Sequence, residues 1–299
     1  MKIMYPIVNP AISIILLTKN GGDLFKKCLH SIFSQDINLP YEVIMVDSGS
    51  TDDTLASVNQ YPIQLYKIAP ESFSFGPTRD YAFSQAKGQY LVTLSQDVVP
   101  ANRDWLAKIV APLVTDTADV VQGLTVIPDQ GDNYGRDIFF WEKKGLFYFT
   151  SEGQDFIKKY GNIPLSCCSL AIKQQVWAET GFGDVLMNED KAIQKKLIEK
   201  NRRIVFAYDS IAFHGHNYTV KSLISRCENE GLGWKCIGVS YPFSHMISDL
   251  IQEKRIYDFF LENLRNKEIK SLAEFLFLII RPICIYKGNR FGKYYNKHQ

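Results

Sequence analysis

Apolar and polar residues fall in blocks along this chain. Ile12 to Leu17 is continuously apolar, and Thr18-Lys19-Asn20-Gly21-Gly22 breaks the run. A short unbroken apolar run bounded by turn residues predicts a strand buried on both faces, as in a parallel sheet. Leu24, Phe25, Cys28, Leu29 and Ile32 then recur at helical spacing, predicting a helix to about Ser34. Tyr41–Val46, Ile63–Ile68 and Tyr90–Leu94 read as three further strands. After the second, Gly49 allows a turn and Ser50 or Thr51 is placed to cap a helix. Before the fourth, Phe75-Gly76-Pro77 opens a helix to Lys87 that Gly88 ends. Strands alternating with helices predict a doubly wound α/β sheet with right-handed crossovers.

Beyond Pro100 the pattern predicts a helix over Trp105–Val114 and a strand over Asp119–Ile127. The stretch 128–161 is rich in aromatics: Tyr134, Phe139, Phe140, Trp141, Phe147, Tyr148 and Phe149. Such a cluster is usually core, although its position also suits a loop whose rings stack on sugars. Leu165–Ile172 reads as a short strand of small residues. Asn188-Glu189-Asp190 opens a helix with Ala192, Ile193, Leu197 and Ile198 on its apolar face. Arg203–Ala207 and Ile211–Phe213 read as two strands, and from Val220 onward the pattern is helical: to about Val239, then Phe243–Leu264 and Lys270–Ile280. This predicts a sheet domain over 1–218 and a helical extension over 219–299.

Composition narrows the picture little. Apolar residues are 46%, charged residues 22% and the net charge +2, an ordinary globular balance without a nucleic-acid footprint. Six cysteines lack metal or disulfide-framework spacing, so buried thiols in a reducing compartment are expected. The first ten residues show no signal-peptide core, and no run approaches the roughly 20 apolar residues of a membrane span. A cytoplasmic catalytic part is expected. The tail, FLFLII-Arg281-Pro282-ICIY followed by Lys287, Arg290, Lys293 and Lys297, suits either a packed last helix or one lying in an anionic membrane surface.

The candidate chemistry sits at strand ends. Asp47 closes the second strand, and Asp97 follows the fourth in Ser95-Gln96-Asp97. A lone aspartate there is usually a turn former. Two of them, facing the crevice at the carboxyl ends of a sheet beside a Gly/Ser turn, outline a nucleotide site: one acid for base or ribose, the other for a hard divalent cation on phosphate oxygens. Neither GxGxxG nor GxxxxGK[ST] is present. Glu189 and Asp190 either complement a helix dipole or supply a general base. His214 and His216, one residue apart on extended chain, point to one side; they are structural or hold a cation or phosphate.

SIILLTKNGG, VIMVDSGSTDDT, FGPTRDYAFSQAKGQYLVTLSQDVVP and NEDKAIQKKLIEKNRRIVFAYDS, in that order, resemble a family 2 glycosyltransferase of the GT-A fold. FGPTRD, SQDVVP and HGHNYT resemble the bacterial rhamnosyltransferases within it. The resemblance implies an inverting enzyme that moves a sugar, L-rhamnose from its dTDP-activated form, to a hydroxyl of a cell-surface glycan or lipid-linked saccharide. It implies Asp190 as base with Glu189 beside it, and Asp47 on the uracil or thymine base. Thr18, Asn20, Gly49, Ser50, Arg79 and Gln96 would line the donor site. Asp97, with His214 and His216, would hold Mg²⁺ or Mn²⁺, although Ser95 stands where the family's motif has its first acid. The alternatives are a nucleotidyltransferase, for which TKNGGD is a poor phosphate loop, and a non-catalytic glycan- or nucleotide-binding protein.

Overall fold

The computed structural model describes residues 9–128, 134–138, 140–141, 145–161, 164–251 and 253–293. The expectations for the first eight residues, for Phe139 and for Lys297 lie outside these, as does the side chain of Tyr148. The chain falls into two compact units. The first comprises 1–134, 163–185 and 189–214; the second comprises 135–162, 186–188 and 215–299. Except for Tyr134, the aromatic stretch thus groups with the C-terminal helices rather than with the sheet, unlike the linear division expected at 218.

In the first unit, β1 (Ile12–Thr18), β2 (Tyr41–Asp47), β3 (Ile63–Lys67) and β4 (Tyr90–Ser95) pair in parallel. They alternate with α1 (Gly22–Ile32), α2 (Thr54–Val58) and α3 (Phe75–Ser84), as the apolar blocks predict. The sheet continues with β5 (Val99–Pro100), β6 (Val120–Val126), β7 (Ser169–Lys173) and β8 (Ile204–Phe213). Its order is β3-β2-β1-β4-β7-β6-β8-β5, with β7 antiparallel to both neighbours. The two strands expected over 203–213 are one, β8, whose register against β6 shifts between Gly123 and Leu124. That irregularity breaks the apolar pattern and mimics a loop in the sequence.

Alternation along the strands loads both faces of the sheet. Ile12, Ile14 and Leu16 pack with Phe25, Cys28, Leu29 and Ile32 of α1 and with Trp105, Leu106 and Ile109 of α4 (Trp105–Val114). Ile15, Ile44 and Leu91 pack on the other face with Ala82 and Phe83 of α3. Ile193 and Leu197 of α7 (Glu189–Glu199) join them there, beyond α6 (Gln174–Thr180). Trp105 is fully buried and donates its indole N–H to Ser169 Oγ at 3.2 Å. Each such side chain contributes about 1.5–3 kcal/mol by leaving water.

The second unit is helical: α5 (Ser151–Tyr160), α8 (Val220–Cys236), α9 (Phe243–Ile251), α10 (Lys254–Arg265) and α11 (Leu272–Phe291). The helix expected over 243–264 is two, and the last runs past Ile280 through Pro282 to Phe291. A proline inside a helix costs about 3 kcal/mol. Here Phe277, Leu278, Cys284 and Ile285 on the same helix are buried. Gly231 and Gly288 let α8 and α11 come close enough that a Cβ at either would strike backbone carbonyl oxygen of the other helix. Packing outweighs the lost bond. Phe140 and Trp141 are buried against Phe277, so this part of the aromatic stretch is core. Ten of the thirteen exposed large hydrophobics among the described residues lie on α9, α10 and α11, including Leu272, Phe275, Ile279 and Ile283 along one face of α11. Among the described residues no helix is long and apolar enough to cross a membrane.

Candidate active site

β1, β2 and β4 lie side by side with their carboxyl ends at one edge of the sheet, Thr18 opposite Asp47 and Leu17 opposite Ser95. Two strand spacings, about 10 Å, therefore separate the end of β2 from the end of β4. The loops that leave these strands are laced together. The Asn20 N–H donates to Ser50 Oγ at 2.9 Å, and the Thr51 N–H donates to Asn20 Oδ1 at 2.8 Å. Gln96 reaches the β1 loop from the other side, its Oε1 accepting from the Lys19 N–H at 2.9 Å and its Nε2 donating to Lys19 O at 3.2 Å. Asn20, Ser50 and Gln96, expected on the donor, thus hold the loops around the crevice.

Asp47 is almost wholly buried. One carboxylate oxygen accepts from the Gly49 and Ser50 N–H groups at 3.0 and 2.9 Å, the other from the Ser50 and Thr18 hydroxyls at 2.5 and 3.4 Å. A carboxylate so supplied shapes the turn, with Gly49 at φ 91° where a side chain is strained. A base contact by Asp47 needs one of these donors to yield.

Arg79 also differs from expectation. It is 4% exposed, and both its Nε and its Nη2 donate to Glu189 Oε1, at 3.1 and 2.9 Å. Its Nη1 donates to Thr93 Oγ1 at 2.5 Å, inside β4. The guanidinium is a buried clamp that fixes the first turn of α7 to the sheet. Burial pushes the Glu189 carboxyl upward in pKa while the Arg79 charge pulls it back. The next residue of the FGPTRD segment, Asp80, accepts from Trp177 Nε1 and from the Phe182 and Gly183 N–H groups, each at 2.8 Å. The Gly76 N–H donates to Val185 O at 3.1 Å, where a Cβ on Gly76 would collide with the loop. The segment therefore fixes the chain that approaches Glu189 and Asp190.

Asp190 itself is half-buried, accepting from the Lys191 N–H at 2.8 Å, with Lys191 Nζ 3.6 Å from its other oxygen. Asp97 is half-buried too, 3.8 Å from His214 Nε2 at the end of β8. The two acids share a neighbour. Cys168, just before β7, has its thiol raised in pKa first by burial and then by the charges of Asp97 and Asp190, and its sulfur lies 3.7 Å from Ser95 Oγ. Ser95 thus touches Cys168, and the charges of Asp97 and Asp190 are both felt at its thiol. The sequence pattern expects no more than a buried thiol at Cys168. The carboxylate and imidazole of Asp97 and His214 are a donor set that suits a divalent cation such as Mn²⁺. His216 lies two residues farther along the chain, within the second unit.

Comparison with known proteins agrees with this architecture. The chain is 25% identical over 242 residues to the O-antigen chain rhamnosyltransferase WbaN of Salmonella anatum, covering 76% of this chain and 73% of that protein. It is likewise 25% identical over 235 residues to the O-antigen chain rhamnosyltransferase RfbN of Salmonella typhimurium, covering 75% and 73%. Its fold is similar to that of a mannosyltransferase from Pyrobaculum calidifontis solved with GDP-Man and Mn²⁺, with TM-score 0.64, 17% identity, and 96% and 89% of the two chains covered. Glucosyl-3-phosphoglycerate synthase from Mycobacterium tuberculosis, solved with Mn²⁺, UDP and phosphoglyceric acid, gives TM-score 0.55 at 16% identity over 77% and 79%. The pattern described as Glycosyl transferase family 2 matches residues 13–178, from β1 into α6. That is more than half of the chain, and it makes this protein a family 2 glycosyltransferase.

Proposed function

We propose that this glycosyltransferase inverts the anomeric centre of its donor, and that the donor is dTDP-L-rhamnose. The Arg79 clamp, which joins Glu189 beside Asp190 to Thr93 of β4, the strand that Asp97 follows, supports the mechanism; the two Salmonella rhamnosyltransferases support the sugar. Asp190 takes the proton of the acceptor hydroxyl as its oxygen bonds to the anomeric carbon and the bond to the nucleotide diphosphate breaks. A positioned carboxylate contributes roughly 10²–10⁴-fold to such a step. Glu189, neutralised by Arg79, leaves Asp190 as the carboxylate of the pair that meets the acceptor. Thr18, Gly49 and the laced loops form the wall of the donor site. Asp97 and His214 would hold Mg²⁺ or Mn²⁺, which when bound offsets charge on the leaving diphosphate.

The acceptor is a hydroxyl of a cell-surface glycan, carried on lipid, and the enzyme works at the cytoplasmic face of the membrane. The exposed apolar face of α11 supports that placement, with Lys287, Arg290 and Lys293 beyond it and no acid after Glu274. One experiment tests the assignment of roles. Calorimetry with dTDP and Mn²⁺, and transfer from dTDP-L-rhamnose to extracted acceptor, are measured for the wild type, Asp190→Asn and Asp97→Ala. Asp190→Asn should bind nucleotide normally and lose at least a hundredfold in transfer, whereas Asp97→Ala should lose the Mn²⁺-dependent part of binding. Normal transfer by Asp190→Asn would reject it as the base, and unaltered Mn²⁺ dependence in Asp97→Ala would move the cation elsewhere.

A further inference from the structure

A shallow, open cleft of about 1090 Å³ lies on the flank of the first unit, between α1 and the β5–β8 ladder. Four of its lining side chains are basic, namely Lys26, Lys27, His30 and Arg103, and none is acidic. Its floor is apolar, from Phe33, Val99, Pro100, Tyr134 and Phe213. Three of the cations sit on α1, one to two turns beyond its start at Gly22, so the cleft lies down the helix from the laced loops of the donor site.

The basic residues are placed rather than scattered. Arg103 Nε donates to Ser34 O at 3.0 Å, which orients the guanidinium and leaves its terminal nitrogens unbonded among the described residues. The Lys27 ammonium stands 4.9 Å from the centre of the Tyr134 ring. Lys26 pairs with Asp23 and Asp53 at 3.0 and 2.6 Å, but both acids are well exposed, and such surface pairs contribute little. Among the described residues Lys27, His30 and Arg103 have no acid paired against them, unlike Lys26 and unlike Lys173 and Arg203 beside Asp116. The floor also ties the cleft to the catalytic edge. Val99 pairs directly with Phe213, two residues after Asp97 and immediately before His214.

We propose that this cleft is a second anion site, distinct from the nucleotide-sugar site, for a phosphate or diphosphate group attached to an apolar or saccharide body. The cations take the phosphate oxygens, Arg103 in its planar fork and Lys27 as a point charge, while Tyr134 and Phe213 take the attached group. The phosphate could belong to a membrane lipid headgroup or to a soluble phosphate ester.

The probe is inorganic pyrophosphate, titrated calorimetrically into the full chain in EDTA, so that no cation bridges it to Asp97. The wild type should bind it, more weakly as salt rises. Lys27→Glu/Arg103→Glu should lose at least tenfold, the milder Lys27→Gln/Arg103→Gln should lose less, and Asp97→Ala should bind as the wild type does. Absence of binding to the wild type overturns the proposal, as does equal binding by the charge-reversed variant or loss of binding in Asp97→Ala. Co-sedimentation with phosphatidylglycerol vesicles separates the sources. Loss of vesicle binding in the charge-reversed variant, relative to phosphatidylcholine controls, assigns the site to a headgroup; unchanged vesicle binding alongside lost pyrophosphate binding assigns it to a soluble ester.

Discussion

Replacing Arg79 by methionine should be the most damaging single change in the first unit that leaves the reacting groups intact. Both partners of the Arg79–Glu189 pair are nearly inaccessible, at 4% and 5% exposure, and three guanidinium hydrogen bonds end on Glu189 and Thr93. Removing one member of a buried pair strands the other charge, a loss of about 3–5 kcal/mol, whereas removing both costs far less. Arg79→Met should therefore lose about 3–5 kcal/mol in urea denaturation, while Arg79→Met/Glu189→Leu recovers at least about 2 kcal/mol of it through their coupling. The stranded Glu189 should also protonate. Its folded pKa, already raised by burial, climbs further without Arg79, so the variant loses stability as pH rises and regains some on acidification. Transfer separates the roles: the double variant should be stable yet slow, because nothing then fixes the turn that carries Asp190. An Arg79→Met protein within about 1 kcal/mol of wild type, or a double variant as unstable as the sum of the singles, would refute the clamp.

The helical unit makes a separate prediction about pH. Glu152 on α5 is buried, and burial raises its carboxyl from 4.5 to about 7, with Arg281 opposing and Glu230 adding to the rise. A raised carboxyl gives stability that is complete below about pH 4.5 and lost as pH rises through 7, on the order of 3 kcal/mol. Glu152→Gln should flatten the unfolding free energy of this unit between pH 5 and 8, as followed by chemical denaturation; an unchanged slope would place the proton elsewhere. Flotation with anionic vesicles tests the exposed face of α11: Phe275→Ser/Ile279→Ser should lose most of its bound fraction, and flotation equal to wild type would leave that face a packing surface.

The parallel half of the sheet is plain in the sequence because each strand is a short apolar run closed by turn residues. Ile12–Thr18 and Tyr41–Asp47 differ from their expected limits by a single residue. The second half reads less well. β8 hides its continuity in a register shift, and α11 crosses a proline that local propensity takes as a stop. Both are decided by partners distant in sequence, Gly123 on β6 and Gly231 on α8. The site divides in the same way. Residue type and spacing mark Asp97, Asp190 and His214 as candidates, and the structure places Asp97 3.8 Å from His214. Arg79, Gln96 and Asn20 read as ligand contacts because the same donors and acceptors serve equally well inside the protein, Arg79 on the Glu189 and Thr93 side chains and Gln96 and Asn20 on backbone. Cys168 carries no such mark, because the acid charges felt at its thiol come from Asp97 and Asp190, far from it in the chain.

The lacing of the three strand-end loops bears on how substrate would be received. Loops rich in glycine and serine, if slack, must be ordered by whatever they bind, and that ordering subtracts from affinity. Here Gln96, Asn20 and Ser50 tie the three loops to one another, so a nucleotide bound there would have less to order and would keep more of its contact energy as binding. Selectivity would then come from the rigid outline of the recess, and widening the range of accepted sugars by design should begin by cutting one of those side-chain ties.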